Sequence, residues 1–355
     1  MRRIIPKLFL ILVAAIAIVF DARAGTIAQQ IASIANSKEA IRAAIASKNV
    51  DIPASTPLSQ YAAKISQIAT SGTGGGGDTG GAVISANAGS VILMIGDGMG
   101  INHIDCAGGF ISTLPISGWV STAPADCTPS YCITDSAAAA TAYACAVKTN
   151  NAYLGMTPDG QSCETVAEKA SALGYGAVIA TSDTALGATP AAFFAHVTNR
   201  NDFAGIQNWL DRAQMSVRGD LAKPSEFTAF LVDAYAQLGG KNGRIAGRPF
   251  FWMIEEGYID KESHSNNLPG MLYRMGDFNI AVQNAVQFVQ DNPEITLIVT
   301  ADHETGGLTE NCVFTSGDHT NAPVPMYVFG KHSGLFTGTM TNAQVGEKMR
   351  QILFQ

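Results

Sequence analysis

The sequence predicts an α/β domain with a mostly parallel central sheet flanked by helices, and three observations predict it. Short apolar runs at residues 91–95, 177–180, 250–254, 296–299 and 326–329 have the length and composition of buried strands. Helical patterns lie between some of them, at 165–173 and 280–289, and such alternation favours a parallel sheet. The runs then open into chemistry-bearing residues. "SVILMI" leads to Asp97, "TLIVT" to Asp302, His303 and Glu304, and "PFFWMI" to Glu255 and Glu256, then Asp260 and His264. "AVIAT" leads towards Thr189. Ligands of open α/β sheets bind outside the carboxyl ends of the strands, so these groups predict one polar site.

Before this domain the chain changes character twice. Two arginines near the start, an apolar run over residues 8–20 and an A-x-A pattern ending at Ala24 read as a secretory signal peptide over 1–24. The apolar run is short for a membrane span, which needs about 20 residues, so no stable span is expected after cleavage. This places the protein outside the cytoplasm, in a periplasm or beyond. Residues 25–69 carry isoleucines at helical spacing, broken by Pro53 and Pro57, and read as a small helical module whose partner is unknown. Residues 70–81 are glycine-rich. No Gly-Lys-Ser/Thr follows, so a flexible linker is expected rather than a phosphate loop. The catalytic domain is placed at 82–355.

The net charge of −7, with no long basic run, argues against nucleic-acid binding through a basic surface. The six cysteines contain no C-x-x-C pair and so suggest no cysteine zinc site. In an exported chain they can form disulfides. Cys127 and Cys132 are close enough to bridge a small loop; the remaining pairings are open.

The donors at the strand ends are too many for one ion. Aspartate and histidine suit zinc, while carboxylate and hydroxyl suit magnesium. Ions placed close together can clamp both the attacking and the leaving oxygen of a phosphoryl transfer. "ITDSAAAATAYACAVK" fits beside them. Alone it is helix filler headed by an N-cap. Next to metal ligands, Ser136 becomes the group they would activate, and the alanines keep the helix start slim enough for a substrate to approach.

"MIGDGMG", "TDSAAAATAYA", "ATPAAFFAHVTNR", "IEEGYIDKESH", "TADHETGG" and "DHT" occur in this order. The set resembles the ordered motifs of bacterial alkaline phosphatases, over about residues 89–355. The resemblance implies a phosphoric monoester hydrolase acting on small phosphomonoesters with two zinc ions and one magnesium ion. It implies that Ser136 is the nucleophile and forms a phosphoserine. Asp97, Asp302 and His303 would hold the zinc that activates Ser136. Asp260, His264 and His319 would hold the zinc on the leaving-group side. Asp97, Thr189 and Glu256 would hold the magnesium, the Glu-Gly order favouring Glu256 over Glu255. Arg200 would grip phosphate, oriented by Asp135, and Lys261 would reach phosphate through water. His103, His196 and His332 match no motif and are expected to be structural.

Two departures from the pattern matter. Gly187 stands where some relatives place an acidic or histidine side chain near the magnesium. The segments between Arg200 and Glu256 and between His303 and His319 are compact, which predicts an open cleft and broad substrate tolerance, and leaves a homodimer open. Rival readings are a phosphodiesterase of the same superfamily, or a surface interaction protein acting through residues 25–69. A sulfatase is disfavoured because the run after Ser136 lacks the arginine such an enzyme needs.

Overall fold

The computed structural model describes residues 87–355, together with Pro53 and Ser85. The expected signal peptide, helical module and linker lie outside the described residues, Pro53 apart.

The strands are β1 (Ser90–Gly96), β2 (Gly118–Ser121), β3 (Gly176–Thr181), β4 (Ser216–Arg218), β5 (Phe250–Glu256), β6 (Ile295–Thr300), β7 (Glu304–Thr305), β8 (His319–Thr320), β9 (Val324–Phe329) and β10 (Gly338–Thr341). The helices are α1 (Ile101–Ala107), α2 (Ser136–Cys145), α3 (Val166–Ala172), α4 (Ala188–Ala191), α5 (Phe203–Leu210), α6 (Pro224–Gln237), α7 (Tyr258–His264), α8 (Leu268–Asp291) and α9 (Asn342–Phe354). Eight strands form one sheet in the order β10-β2-β9-β6-β1-β5-β3-β4. Only β9 runs against its neighbours in that sheet. The remaining pairs are parallel, so the expected mostly parallel α/β sheet is what forms.

β1, β3, β5 and β6 are buried along their whole length. This is why their sequences are continuous apolar runs rather than alternating ones. Helix α8 covers the sheet with Met271, Met275, Phe278, Val282, Ala285, Val286 and Val289, a 3–4 residue spacing that forms one buried stripe. Phe250, Trp252 and Phe288 stack into an aromatic cluster between helix and strand. Each of these fully buried side chains contributes roughly 1.5–3 kcal/mol of transfer free energy.

The sequence pattern misses β2, β4 and β10, for a shared reason. They are three or four residues long, and none presents an unbroken buried run. Helix α8 also starts earlier than its apolar core suggests. Asn267 caps it and Pro269 sits in its first turn, where the missing N–H is no loss.

The alanines of α2 have a packing role. Residues 136–144 are all buried, so this helix is enclosed on every side. Gly346 of α9 sits so close that an added Cβ would lie 2.6 Å from the Tyr143 carbonyl and 2.8 Å from that of Ala142. Larger residues on either helix would separate them.

All six cysteines pair, as Cys106–Cys312, Cys127–Cys132 and Cys145–Cys163. The short Cys127–Cys132 loop is the one its spacing suggested. Among the described residues no helix is long and apolar enough to cross a membrane.

Candidate metal centre and nucleophile

The carboxyl ends of β1, β5 and β6 lie side by side, in register from Ile95 to Glu255 and from Ile95 to Thr300. Asp97 therefore sits between the residues that follow β6, Asp302 and His303, and the end of β5. The Asp302 carboxylate accepts from the amides of Gly98 (3.1 Å) and His303 (2.9 Å), which locks the β1 and β6 turns together. One turn of α7 puts Asp260 and His264 on the same face (3.3 Å). The antiparallel β7–β8 pair then brings His319 beside them, 3.5 Å from Asp260.

Ser136 opens α2, whose N-cap Asp135 accepts from the Ala138 amide (2.9 Å). The Ser136 hydroxyl lies 3.2 Å from His303 Nε2. The other Asp135 oxygen accepts from the Ala152 amide (3.0 Å) and from Arg200 Nη1 (3.1 Å). Asp135 thus fixes both the helix start and the guanidinium. The free amides of the first turn face the same place, where an anion is favoured.

The three histidines share one orientation. His264 Nδ1 donates to the Gly317 carbonyl (2.6 Å), and His319 Nδ1 donates to the Thr134 carbonyl (2.9 Å). The Thr305 hydroxyl donates to Asp260, so it accepts from His303 Nδ1 at 3.2 Å. Each ring, when neutral, therefore turns an unprotonated Nε2 into the site. His264 Nε2 and His319 Nε2 stand 3.1 Å apart, and two facing lone pairs at that distance call for a cation between them. Without a metal a proton supplies it: the Asp260 hydrogen bond raises the His264 pKa to about 9. At His319 burial pulls the pKa down, but the Asp260 bond prevails and raises it. His303 is held well below its usual value, first by burial and then by the charge of His319.

The carboxylates tell the same story. Burial, then repulsion from Asp302, Asp260 and Glu255, raises Asp97 well above its usual range. Burial followed by Asp260 lifts Asp302 to about 6, and burial with Asp302 and Asp183 nearby lifts Glu255 to about 8. Asp260 moves the other way: burial would raise it, but hydrogen bonds from His264 and His319 outweigh this and lower it. Of the seven buried side-chain oxygens left without a hydrogen bond among the described residues, Asp97 Oδ1, Asp302 Oδ2, Thr189 Oγ1 and Glu255 Oε2 belong to this cluster. Two donor sets, Asp97–Asp302–His303 and Asp260–His303–His319, each offer ligand atoms within 4.8 Å of one another. A metal fits this cluster better than water does, because burying unpaired carboxylates is costly without an opposing charge.

The structure brings together every expected donor except Glu256. Its Oε1 accepts from Ser182 (2.7 Å) and the Tyr258 amide (3.0 Å), its Oε2 is buried without a partner, and its charged neighbours are Arg274 and Asp277 rather than the cluster's carboxylates. Glu255 takes the place beside Thr189, Asp302 and Asp97. The reason is strand alternation: β5 extends through both glutamates, so neighbouring side chains point to opposite faces. Thr189 is buried in the first turn of α4. Lys261 pairs with Asp183, a residue the sequence reading did not single out, and lies over the Tyr258 ring (4.5 Å). A side chain added at Gly187 would meet the Asp183 carboxylate at 2.9 Å, so Asp183 fills the space that Gly187 leaves. Thr305, which ties Asp260 to His303, was also missed, since a threonine two residues past a ligand carries no signal of its own.

His103 is buried and held by Ser263 (3.1 Å), with its pKa lowered to about 4 by burial. His196 bonds Glu168 (2.8 Å).

A family model described as "Alkaline phosphatase" matches residues 88–225 and 243–315. The chain is 28% identical over 288 residues to alkaline phosphatase 4 of Bacillus subtilis, covering 62% of each. It is 38% identical over 332 residues to the alkaline phosphatase of Escherichia fergusonii, covering 60% of this chain and 69% of that one. Against the first curated relatives it matches, it spans 62%, 56% and 61% of their lengths. The fold is similar to that of the alkaline phosphatase from the Antarctic bacterium TAB5, with a TM-score of 0.66 at 22% identity, covering 76% of this chain and 99% of that one. Two variants of the TAB5 enzyme are described with Mg bound in the M3 site.

Proposed function

This chain belongs to the alkaline phosphatase family, and from that premise we propose that it is an exported, metal-dependent phosphomonoesterase working through Ser136. The observation that carries the reading is the convergence of three histidine Nε2 atoms and four unpartnered buried oxygens beside a helix-start serine.

Asp97, Asp302 and His303 would hold one zinc ion, and Asp260, His264 and His319 a second. Asp97, Thr189 and Glu255 would hold a magnesium ion, with Glu255 in place of Glu256. Ions bound there would lower the pKa of the serine hydroxyl and of water and would neutralise charge on the phosphoryl oxygens.

The chain's own residues supply the rest. Arg200, held by Asp135, offers a planar fork to two phosphate oxygens. The first-turn amides of α2 hold the anion over Ser136. The Ser136 oxygen bonds to phosphorus as the ester oxygen departs and takes up a proton. Water then displaces the serine, releasing phosphate and restoring the hydroxyl. Little covalent chemistry is asked of other side chains, since phosphoryl transfer depends mainly on positioning and charge.

Pairing of all six cysteines supports an oxidising compartment. Small phosphomonoesters are the proposed substrates.

The test is Ser136→Ala with zinc content measured beside turnover of a phosphomonoester and of a phosphodiester. Turnover of the monoester should fall at least a thousandfold while zinc stays bound. Retained turnover removes Ser136 from the mechanism, and a wild-type preference for the diester changes the reaction class.

A further inference from the structure

A small cavity of about 290 Å³ opens beside the metal centre. One wall is the loop holding Pro129, Tyr131 and Ile133; the other is the β8 end with His319, Thr320 and Asn321. His319 is the shared member. Its ring stacks on that of His303 at 3.6 Å between centroids, and His303 Nε2 is 3.2 Å from the Ser136 hydroxyl. The cavity thus begins two side chains from the nucleophile. The walls are joined at the base, where His319 Nδ1 donates to the carbonyl of Thr134, two residues before Ser136.

The loop wall is built to keep its shape. Cys127 and Cys132 close it. Inside that ring the Thr128 amide donates to the Tyr131 carbonyl (2.8 Å), and the Tyr131 amide donates back to Thr128 (3.2 Å). The Thr128 hydroxyl adds a contact to Ser130 (3.2 Å). Opposite, the Thr320 hydroxyl donates to Glu304, which fixes β8 on β7.

Such a rigid loop presents a large apolar side chain to solvent. Tyr131 is 58% exposed. Its phenol makes no hydrogen bond, and its ring no aromatic contact, among the described residues. Its ring is thus free to meet a planar partner at the mouth of the cavity, because aromatic faces stack with planar groups and the hydroxyl can remain wet.

We propose that this cavity binds the alcohol portion of the phosphate ester and favours esters whose alcohol carries a single planar ring. The assignment rests on the phosphomonoesterase reading. With phosphate between Ser136 and Arg200, the leaving group projects past His319 and meets Tyr131, Pro129 and Ile133. The cavity, about 290 Å³, lies just below the usual size range for ligand pockets, which suits a single ring. Thr320 and Asn321 give polar partners at the rim for ring substituents. The open cleft then carries a preference without a covering cap.

The experiment compares benzyl phosphate with ethyl phosphate, two esters of simple primary alcohols that differ in the ring. The zinc- and magnesium-loaded wild type is measured beside Tyr131→Ala, Tyr131→Phe and the Cys127→Ser/Cys132→Ser pair. Tyr131→Ala should lower kcat/KM for benzyl phosphate about two- to tenfold, the range of one aromatic contact, and leave ethyl phosphate unchanged. Tyr131→Phe should keep the benzyl rate, since the face and not the hydroxyl does the binding. Opening the disulfide should raise KM for the benzyl ester alone. Equal effects on both esters, or none on either, overturn the assignment while leaving the phosphomonoesterase reading intact. A wild type that cleaves neither ester removes that reading and the cavity's role with it.

Discussion

The two ends of the central sheet differ in kind. At the amino ends of β1, β5 and β6 lies a cavity of about 700 Å³, bordered by Lys241, Arg244, Lys331 and Glu294. Two of its three cations are occupied with structure: Arg244 donates to the carbonyls of Ser85, Ala88 and Gly247, and Lys331 pairs with Glu294 at 3.1 Å. The cavity beside His319 at the carboxyl ends is smaller, about 290 Å³, yet buried oxygens without partners collect at that end. Size marks where chain segments fail to fill space. Unpaired buried polar atoms mark where free energy has been left for a ligand to recover. The difference teaches that the second sign, and not the first, locates the chemistry.

The contrast breaks most easily with one change at each end. Asp302→Asn keeps the shape of a fully buried side chain and removes its charge. Zinc content should fall, and activity should fall at least a hundredfold, beyond the range for residues that merely support a ligand. Lys331→Ala at the other end should leave both within twofold, as an exposed ion pair is worth about 0–1 kcal/mol. Metal analysis and phosphomonoester turnover decide it, and comparable losses from the two variants would erase the distinction between the ends.

A finer test sits within β5. Glu255→Gln should weaken magnesium binding by about 100-fold or more, beyond the range for residues that merely support a ligand, and leave zinc in place. Glu256→Gln should leave magnesium affinity unchanged but destabilise the fold by about 1–3 kcal/mol, because Ser182 and the Tyr258 amide lose a charged acceptor. Magnesium titration and thermal unfolding separate the two. Magnesium loss from the Glu256 variant would restore the assignment read from the Glu-Gly order.

That pair also shows how far the sequence could be read. Asp97, Asp302 and His303 were legible because each follows an apolar run, and a run that stops at the top of a parallel sheet delivers its next residues to one place. Asp260 and His264 were legible because they follow the "PFFWMI" run within a motif that resembles the family's. Glu255 and Glu256 were not separable, because their facing depends on β5 continuing past Ile254, two residues beyond its apolar part. The Tyr131 cavity was invisible for a different reason. It depends on a loop meeting a segment 185 residues away, as in the Thr134–His319 bond, and no local pattern carries that. Strands β2, β4 and β10 fall in between: their pairing is real, but their residues are too few and too exposed to announce it.

The smallest expected effect concerns the gap at Gly187. Asp183 holds Lys261 from four residues upstream, and the pair is partly exposed, at 21% and 45% of the two side chains. Breaking it should therefore cost little stability. Its consequence should appear in binding, because the Asp183 bond is what keeps the Lys261 ammonium at the edge of the site, where burial alone would lower its pKa and the carboxylate raises it. In Asp183→Ala the lysine is free to swing into solvent, and KM for a phosphomonoester should rise about two- to fivefold with kcat nearly constant, the pattern of lost uniform binding. Gly187 has an ordinary extended backbone, φ −59° and ψ 156°, that any residue can adopt. Placing the carboxylate there instead, as Asp183→Ala/Gly187→Asp, should bring KM back towards wild type, since the nearest atom to a side chain at 187 is the vacated Asp183 carboxylate (2.9 Å) and the Thr184 carbonyl (3.0 Å) needs to give only slightly. If the double variant stays as weak as Asp183→Ala, the position of the carboxylate on the β3 end matters in itself, and the idea that one site can stand in for the other is wrong.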